Sequence, residues 1–173
     1  LPRDYHNRAI LRRRAGRLPD ALTDHDQAVR MAPCVSRVYV ARATTRRLAG
    51  DTTGAIDDLH KAAKLDDGWA VQSHQWIWEM LMLRGDYKAA EAELVAADNA
   101  AGDELDRKVT AFYRGMASEA EVLDAAGTER LRSAVHYYLG VKALVDHEDL
   151  AAQAHFLLCR EGGFDTEEEE LAR

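Results

Sequence analysis

The stretch YHNRAILRRRAG at residues 5–16 recurs 34 residues later as YVARATTRRLAG at residues 39–50. The two segments share a tyrosine, three arginines, two alanines and a closing glycine at matching positions. The same shift aligns Arg3 with Arg37. So many coincidences at one offset predict an internal repeat with a period of 34 residues.

Each copy has the pattern of two helices joined by a turn. Gly16 and Gly50 are expected to end the first helix, because glycine readily adopts the left-handed conformation found at helix C-termini. Pro19 suits the first turn of the next helix, where a missing N–H leaves no hydrogen bond unmade. Small and apolar residues then recur at helical spacing over residues 21–29 and 55–62. Each copy therefore predicts a helix–turn–helix unit.

A helix–turn–helix repeat of this period resembles the tetratricopeptide repeat, in the form frequent in bacterial proteins. Weaker copies follow, with Gly85, Gly115 and His147 as turn residues and Gly140 as a small residue in the last unit. The resemblance implies an all-α fold, a right-handed α-solenoid of about five units. These units cover residues 2–34, 36–67, 69–101, 103–126 and 132–160, which together form one solenoid over residues 1–160.

The end of the chain departs from this pattern. Gly162–Gly163 is expected to end the last helix, and residues 161–173 are expected to form an acidic, solvated tail. No segment alternates with a period of two residues, so no β-sheet is predicted.

Composition limits the class of protein. The 173 residues are 47% hydrophobic and 31% charged, with 3 prolines, which favours a globular domain over disorder or a disulfide scaffold. No apolar run is long enough for a membrane span. The chain begins at Leu1 without a signal segment, so a mature form or an excised fragment is expected.

Charge is unevenly distributed along the chain. Residues 1–47 hold 11 arginines against 4 acidic residues, although the whole chain has a formal net charge of −7. This asymmetry predicts one electropositive end and one electronegative end. Because the chain is acidic overall and several arginines have candidate aspartate partners, nucleic acid is not the expected ligand.

Two arginines of the repeat are predicted to be structural. Arg8 and Arg42 are each followed 16 residues later by an aspartate, Asp24 and Asp58. We interpret these as ion pairs that join the two helices of one unit, because half-buried charges are normally paired. The alternative is that these guanidinium groups bind a ligand.

The resemblance implies that the first helices of the units line a concave groove. This groove would be cationic at one end and aromatic at the other, which suits an acidic peptide with apolar anchors. The alternative is a solvated charged face beside ordinary helix packing. The candidate groove residues are Arg3, His6, Asn7, Arg13, Arg14, Arg37, Arg47, Trp76, Phe112 and Tyr138.

Trp76 and Trp78 cannot both face this groove, because side chains two positions apart on a helix point to different sides. One of them is expected in the core, and the other remains a candidate anchor. Trp78 also stands where the repeat pattern expects a small residue.

No metal or cofactor is predicted. His155 and Cys159 are four residues apart, a spacing that can hold a metal, but two ligands do not make a site. Cys34 and Cys159 fall at opposite ends of the predicted stack, so both are expected to be free thiols. Free thiols favour a reducing compartment such as the cytoplasm, and a periplasmic one remains open.

No phosphate-binding loop, nucleophile elbow or zinc helix occurs in the sequence. We therefore expect a non-catalytic adaptor or scaffold that binds a peptide or protein segment in its concave groove. The alternative is an architectural or oligomerisation segment of a larger protein or assembly.

Overall fold

A computed structural model describes residues 1–65 and 68–161, and within these ranges it contains helices and no strand. The chain divides into two compact units, Leu1–Met80 and Leu81–Arg173. The helices are α1 (Pro2–Arg14), α2 (Leu18–Met31), α3 (Ser36–Leu48), α4 (Thr52–Leu65), α5 (Ala70–Arg84), α6 (Tyr87–Ala100), α7 (Glu104–Tyr113), α8 (Glu119–Ala125), α9 (Glu129–Val145) and α10 (Asp149–Glu161).

Helices that follow one another in the chain pack against each other within each unit. In the first unit α1 packs on α2, α2 on α3 and α3 on α4, and α1 also contacts α3. In the second unit consecutive contacts join α6 to α7, α7 to α8, α8 to α9 and α9 to α10. The predicted all-α architecture of consecutive helix pairs, as in a repeat solenoid, is confirmed.

The division into five repeats stays a prediction, and Gly162–Gly163 and the acidic tail after residue 161 lie outside the described residues. Among the described helices, none combines the length and the apolar character needed to cross a bilayer.

The predicted turn residues end their helices in the left-handed conformation. Gly16 and Gly50 have φ angles of 73° and 82°, and the backbone N–H of each donates to a carbonyl three residues earlier. His147 has a φ of 63°, and it is a non-glycine residue at a position where glycine is favoured. The helix–turn–helix reading of these segments is thus confirmed.

Small residues allow the helices to approach closely. Ala9, Ala21 and Ala28 of the first hairpin are fully buried. In the last hairpin, a methyl group added to Gly140 would lie 2.7 Å from a ring carbon of Phe156, so this position favours glycine. Trp78 departs from this pattern, because a large indole is buried where a small residue is expected.

Candidate functional site

Ion pairs join the two helices of the first hairpin. Arg8 of α1 donates two hydrogen bonds, of 2.8 and 2.7 Å, to the carboxylate of Asp24 on α2. Arg12 adds a third bond of 2.7 Å to the same carboxylate. These bonds, those of Arg8 first, hold the pKa of Asp24 below its usual value. The buried Asp24 is therefore compensated by two guanidinium groups.

The second hairpin repeats this arrangement. Arg42 donates bonds of 2.8 and 2.6 Å to Asp58, and Arg46 adds one of 2.8 Å. Arg42 also donates a bond of 2.8 Å to Asp26, which ties α3 back to α2. The predicted pairs of Arg8 with Asp24 and Arg42 with Asp58 are confirmed. Both arginines therefore have a structural role.

A groove of 540 Å³ opens on the first unit between α1 and α3. Its polar wall is formed by Arg3, His6 and Asn7 of α1 and by Arg37 of α3. Four of the ten predicted groove residues are therefore brought together. The apolar wall consists of Leu1, Pro2, Ile10, Ala32, Val35 and Val38.

The groove carries two cations that are available to a ligand. Arg3 and Arg37 are both exposed, and neither forms an ion pair or a side-chain hydrogen bond within the described part of the chain. Asn7 is exposed beside them. A guanidinium group binds a carboxylate through two parallel hydrogen bonds, so this wall suits an acidic group.

His6 lies in the wall of the groove and is buried, with 8% of its surface exposed. Its Nδ1 atom has no hydrogen-bond partner among residues 1–65 and 68–161. Burial lowers the pKa of His6, and the positive charges of Arg37 and Arg13 lower it further. The imidazole of the free groove is therefore biased towards its neutral form.

A second histidine, His25 of α2, packs against His6. The ring of His25 meets that of His6 edge-on, with the ring centroids 6.0 Å apart. His25 is fully buried, and neither of its ring nitrogens has a hydrogen-bond partner in the described ranges. Burial, with the charge of Arg13 next, lowers the pKa of His25 to about 3. The position of His25 against His6 is visible only in the structure.

Two predicted groove arginines, Arg13 and Arg47, do not line the groove in the structure. Arg13 has 5% of its surface exposed, and its guanidinium donates to the backbone carbonyl of Ala41 at 3.4 Å. Arg47 donates to the buried carboxylate of Glu79, including a bond of 3.0 Å from Nη1 to Oε2. These two side chains satisfy groups of the core instead of lining an open surface. Arg14 is exposed at the end of α1 and is not part of the groove wall.

Most of the aromatic residues predicted to line the groove are buried in the structure. Trp76 and Trp78 are both buried, with 2% and 3% of their surfaces exposed, so Trp76 is not accessible to a partner. Tyr138 of the second unit is buried too, and its ring meets that of Tyr113 edge-on with centroids 6.4 Å apart. Phe112, also in the second unit, is half-buried. Burial thus leaves Phe112 as the one predicted anchor with substantial exposure.

His155 and Cys159, which are four residues apart on α10, both pack against α9. The Nδ1 atom of His155 lies 3.1 Å from that of His136 on α9, and the two rings stack. Cys159 is buried and is not part of a disulfide, and its backbone carbonyl accepts a hydrogen bond from Ser133. Within the described residues, no group of three or more His, Cys, Asp or Glu side chains could hold a metal ion.

The chain is similar to curated proteins named tetratricopeptide repeat protein 36. It is 38% identical to the zebrafish protein (Danio rerio) over 66 residues, which are 38% of this chain and 35% of the relative. It is 40% identical to the cattle protein (Bos taurus) over 60 residues, which are 35% of this chain and 32% of the relative. The mouse protein (Mus musculus) is 43% identical over 54 residues, 31% of this chain and 29% of the relative.

The matches span about a third of the length of these relatives. No family model matches the chain. Together with the 34-residue period and the consecutive helix pairs, the relatives support a repeat of the tetratricopeptide type. The bacterial form of the repeat stays a prediction.

Proposed function

We propose that this chain, whose helix pairs are of the tetratricopeptide type, is a non-catalytic protein-interaction module. Its first unit binds an acidic segment of a partner protein in the groove between α1 and α3. The observation that carries this proposal is the pair of exposed, unpaired guanidinium groups of Arg3 and Arg37 on one wall of that groove.

The apolar lining of the groove specifies the rest of the ligand. The side chains of Ile10, Val35 and Val38 line the groove together with the two arginines. A segment that fits both walls has carboxylates next to an apolar side chain, because apolar contact supplies most of the binding energy and the guanidinium groups supply orientation. The partner is therefore a peptide or protein segment in which acidic and aliphatic residues alternate.

Two of the titratable groups with a lowered pKa lie out of reach of a ligand in the groove. His25, whose pKa is lowered to about 3, is fully buried. Asp24, whose pKa is also lowered, is buried under two arginines. A catalytic acid or base must reach its substrate, and neither of these groups reaches the groove surface.

The test uses a fluorescent hexapeptide that alternates pairs of glutamates with leucines and is acetylated and amidated at its ends. Fluorescence anisotropy at physiological salt measures its affinity for the full chain. Replacing Arg3→Ala and Arg37→Ala together removes two charge-assisted contacts worth about 1 kcal/mol each at an exposed site, so the affinity should fall about 30-fold.

The matched control replaces Arg17→Ala and Arg30→Ala, two exposed arginines of the first unit that do not line the groove. This variant has the same net charge as the groove variant and should bind within about twofold of the original chain, since screened charges outside the groove contribute little. Equal losses in the two variants would show attraction by net charge alone and refute the groove.

A second peptide, with glutamine in place of every glutamate, should bind much more weakly than the acidic peptide. If neither peptide binds and light scattering shows a stable homo-oligomer, the architectural role is favoured instead.

A further inference from the structure

We propose that the groove takes up a proton at His6 when it binds an acidic segment, so that its affinity for that segment rises as the pH falls. This inference rests on the proposed function of the same groove and adds a pH response to it.

The position of His6 is the first support. The side chain belongs to the groove wall, one helical turn from Arg3 and next to Asn7 in the chain. It is more than nine-tenths buried, and its Nδ1 atom lacks a hydrogen-bond partner within the described residues. No internal hydrogen bond at this atom, in the described ranges, therefore fixes the tautomer or the protonation state of the imidazole.

The charges around His6 are the second support. In the free groove they are predominantly positive, and together with burial they hold the pKa of His6 below its usual value of 6.5. The two acidic groups nearby already have cationic partners: Asp4 pairs with the N-terminal amino group, and Asp24 of α2 pairs with Arg8 and Arg12 of α1. The charged and titratable groups that surround the imidazole are Arg3, Arg13 and the Leu1–Asp4 terminal pair of α1, His25 and Asp24 of α2, and Arg37 of α3.

A bound carboxylate changes this balance. It neutralises the field of Arg37, which is the larger of the two charge effects on His6, and it provides an acceptor for an imidazolium N–H. Both effects favour the protonated form, so the pKa of His6 rises in the complex. His25 stays neutral over the same range, because its own pKa is about 3.

The sign of the pH dependence follows from linkage. Above the pKa of the complex His6 is neutral in both states, and the affinity does not change with pH. Between the two pKa values binding takes up to one proton, and the affinity rises by at most about tenfold for each unit of falling pH. Below the pKa of the free groove the affinity levels off.

The experiment uses the full chain and the acidic hexapeptide from pH 8.0 to 5.5, a range in which its glutamates stay ionised. Titration calorimetry in two buffers of different ionisation enthalpy measures the number of protons taken up. We expect proton uptake within this pH range and an affinity several-fold higher at pH 5.5 than at pH 8.0. The imidazole proton and carbon signals of His6, followed by NMR, should give a higher pKa with the peptide than without it.

Two variants assign the proton. His6→Gln keeps a polar side chain that does not titrate, so it should bind at pH 8.0 within about threefold of the original chain and lose the pH dependence. The matched control is His60→Gln on α4, a half-buried histidine outside this groove, which should keep the full pH dependence. If His6→Gln fails to fold, the NMR titration of the original chain decides the question.

The outcomes separate the two proposals. A peptide that binds at no pH refutes the proposed function. Binding that depends on Arg3 and Arg37 but takes up no proton leaves the proposed function standing and overturns the inference. Proton uptake that persists in His6→Gln also overturns it, because another group then titrates.

Discussion

The buried His25 should make the chain sensitive to mild acid, and His25→Phe should remove most of this sensitivity. His25 is fully buried, and its two ring nitrogens have no hydrogen-bond partner in the described ranges. Phenylalanine keeps a planar ring in the same place and cannot be protonated.

The magnitude follows from the two pKa values. The pKa of His25 is about 3 in the folded chain and 6.5 in the unfolded chain. Because the folded pKa is the lower one, the unfolded state binds the proton first, and stability is lost as the pH falls below 6.5. Between pH 7.5 and pH 5.0 this linkage costs about 2 kcal/mol of unfolding free energy.

Urea unfolding followed by circular dichroism at the two pH values measures the effect. A loss of 2 kcal/mol corresponds to a drop of about 1 M in the urea midpoint of the original chain. His25→Phe should show a much smaller drop, and His60→Phe, the control on α4, should drop as much as the original chain. Equal drops in the original chain and in His25→Phe would refute the neutral, buried histidine, because other groups would then account for all the acid sensitivity.

Two further substitutions test the packing of the hairpins. Asp58→Asn removes the charge that Arg42 binds with bonds of 2.8 and 2.6 Å, so it should lower the unfolding free energy by about 3 kcal/mol. Asp57→Asn, at the exposed neighbouring position, is the control and should change the unfolding free energy by less than about 0.5 kcal/mol. Urea unfolding measures both values. Gly140→Ala should lower the thermal midpoint by several degrees, through about 1–3 kcal/mol of overpacking against a ring of α10, although alanine is the better helix former. Gly102→Ala, where an added methyl group meets nothing within 4 Å, is its control and should leave the midpoint nearly unchanged.

Contacts within one hairpin were predictable from the sequence. The pairs of Arg8 with Asp24 and of Arg42 with Asp58 recur at the same spacing of 16 residues, and a helix, a short turn and a second helix leave little freedom in where these side chains meet. The turn at His147 was predictable for the same reason, since the repeat pattern places a left-handed residue there whatever its type.

Only some of the arginines that the sequence predicts for the groove line it in the structure. Arg3 and Arg37 occupy one register of the repeat and are exposed, as the resemblance implied. Arg13 and Arg47 occupy another register, where Arg13 is buried and Arg47 is half-buried against Glu79. The acceptor of Arg47 lies 32 residues away on another helix, so the sequence near that arginine does not indicate the contact.

The helix–turn–helix period, the left-handed turns and the ion pairs inside each hairpin could be inferred from the amino-acid sequence, because each of these depends on residues of one hairpin. Which cations face solvent and which contact the core depends on how the helices pack. The tertiary structure also decides that His6 lies between the groove and His25. Burial is set by the neighbouring helices that cover a residue, and the local sequence does not contain that information.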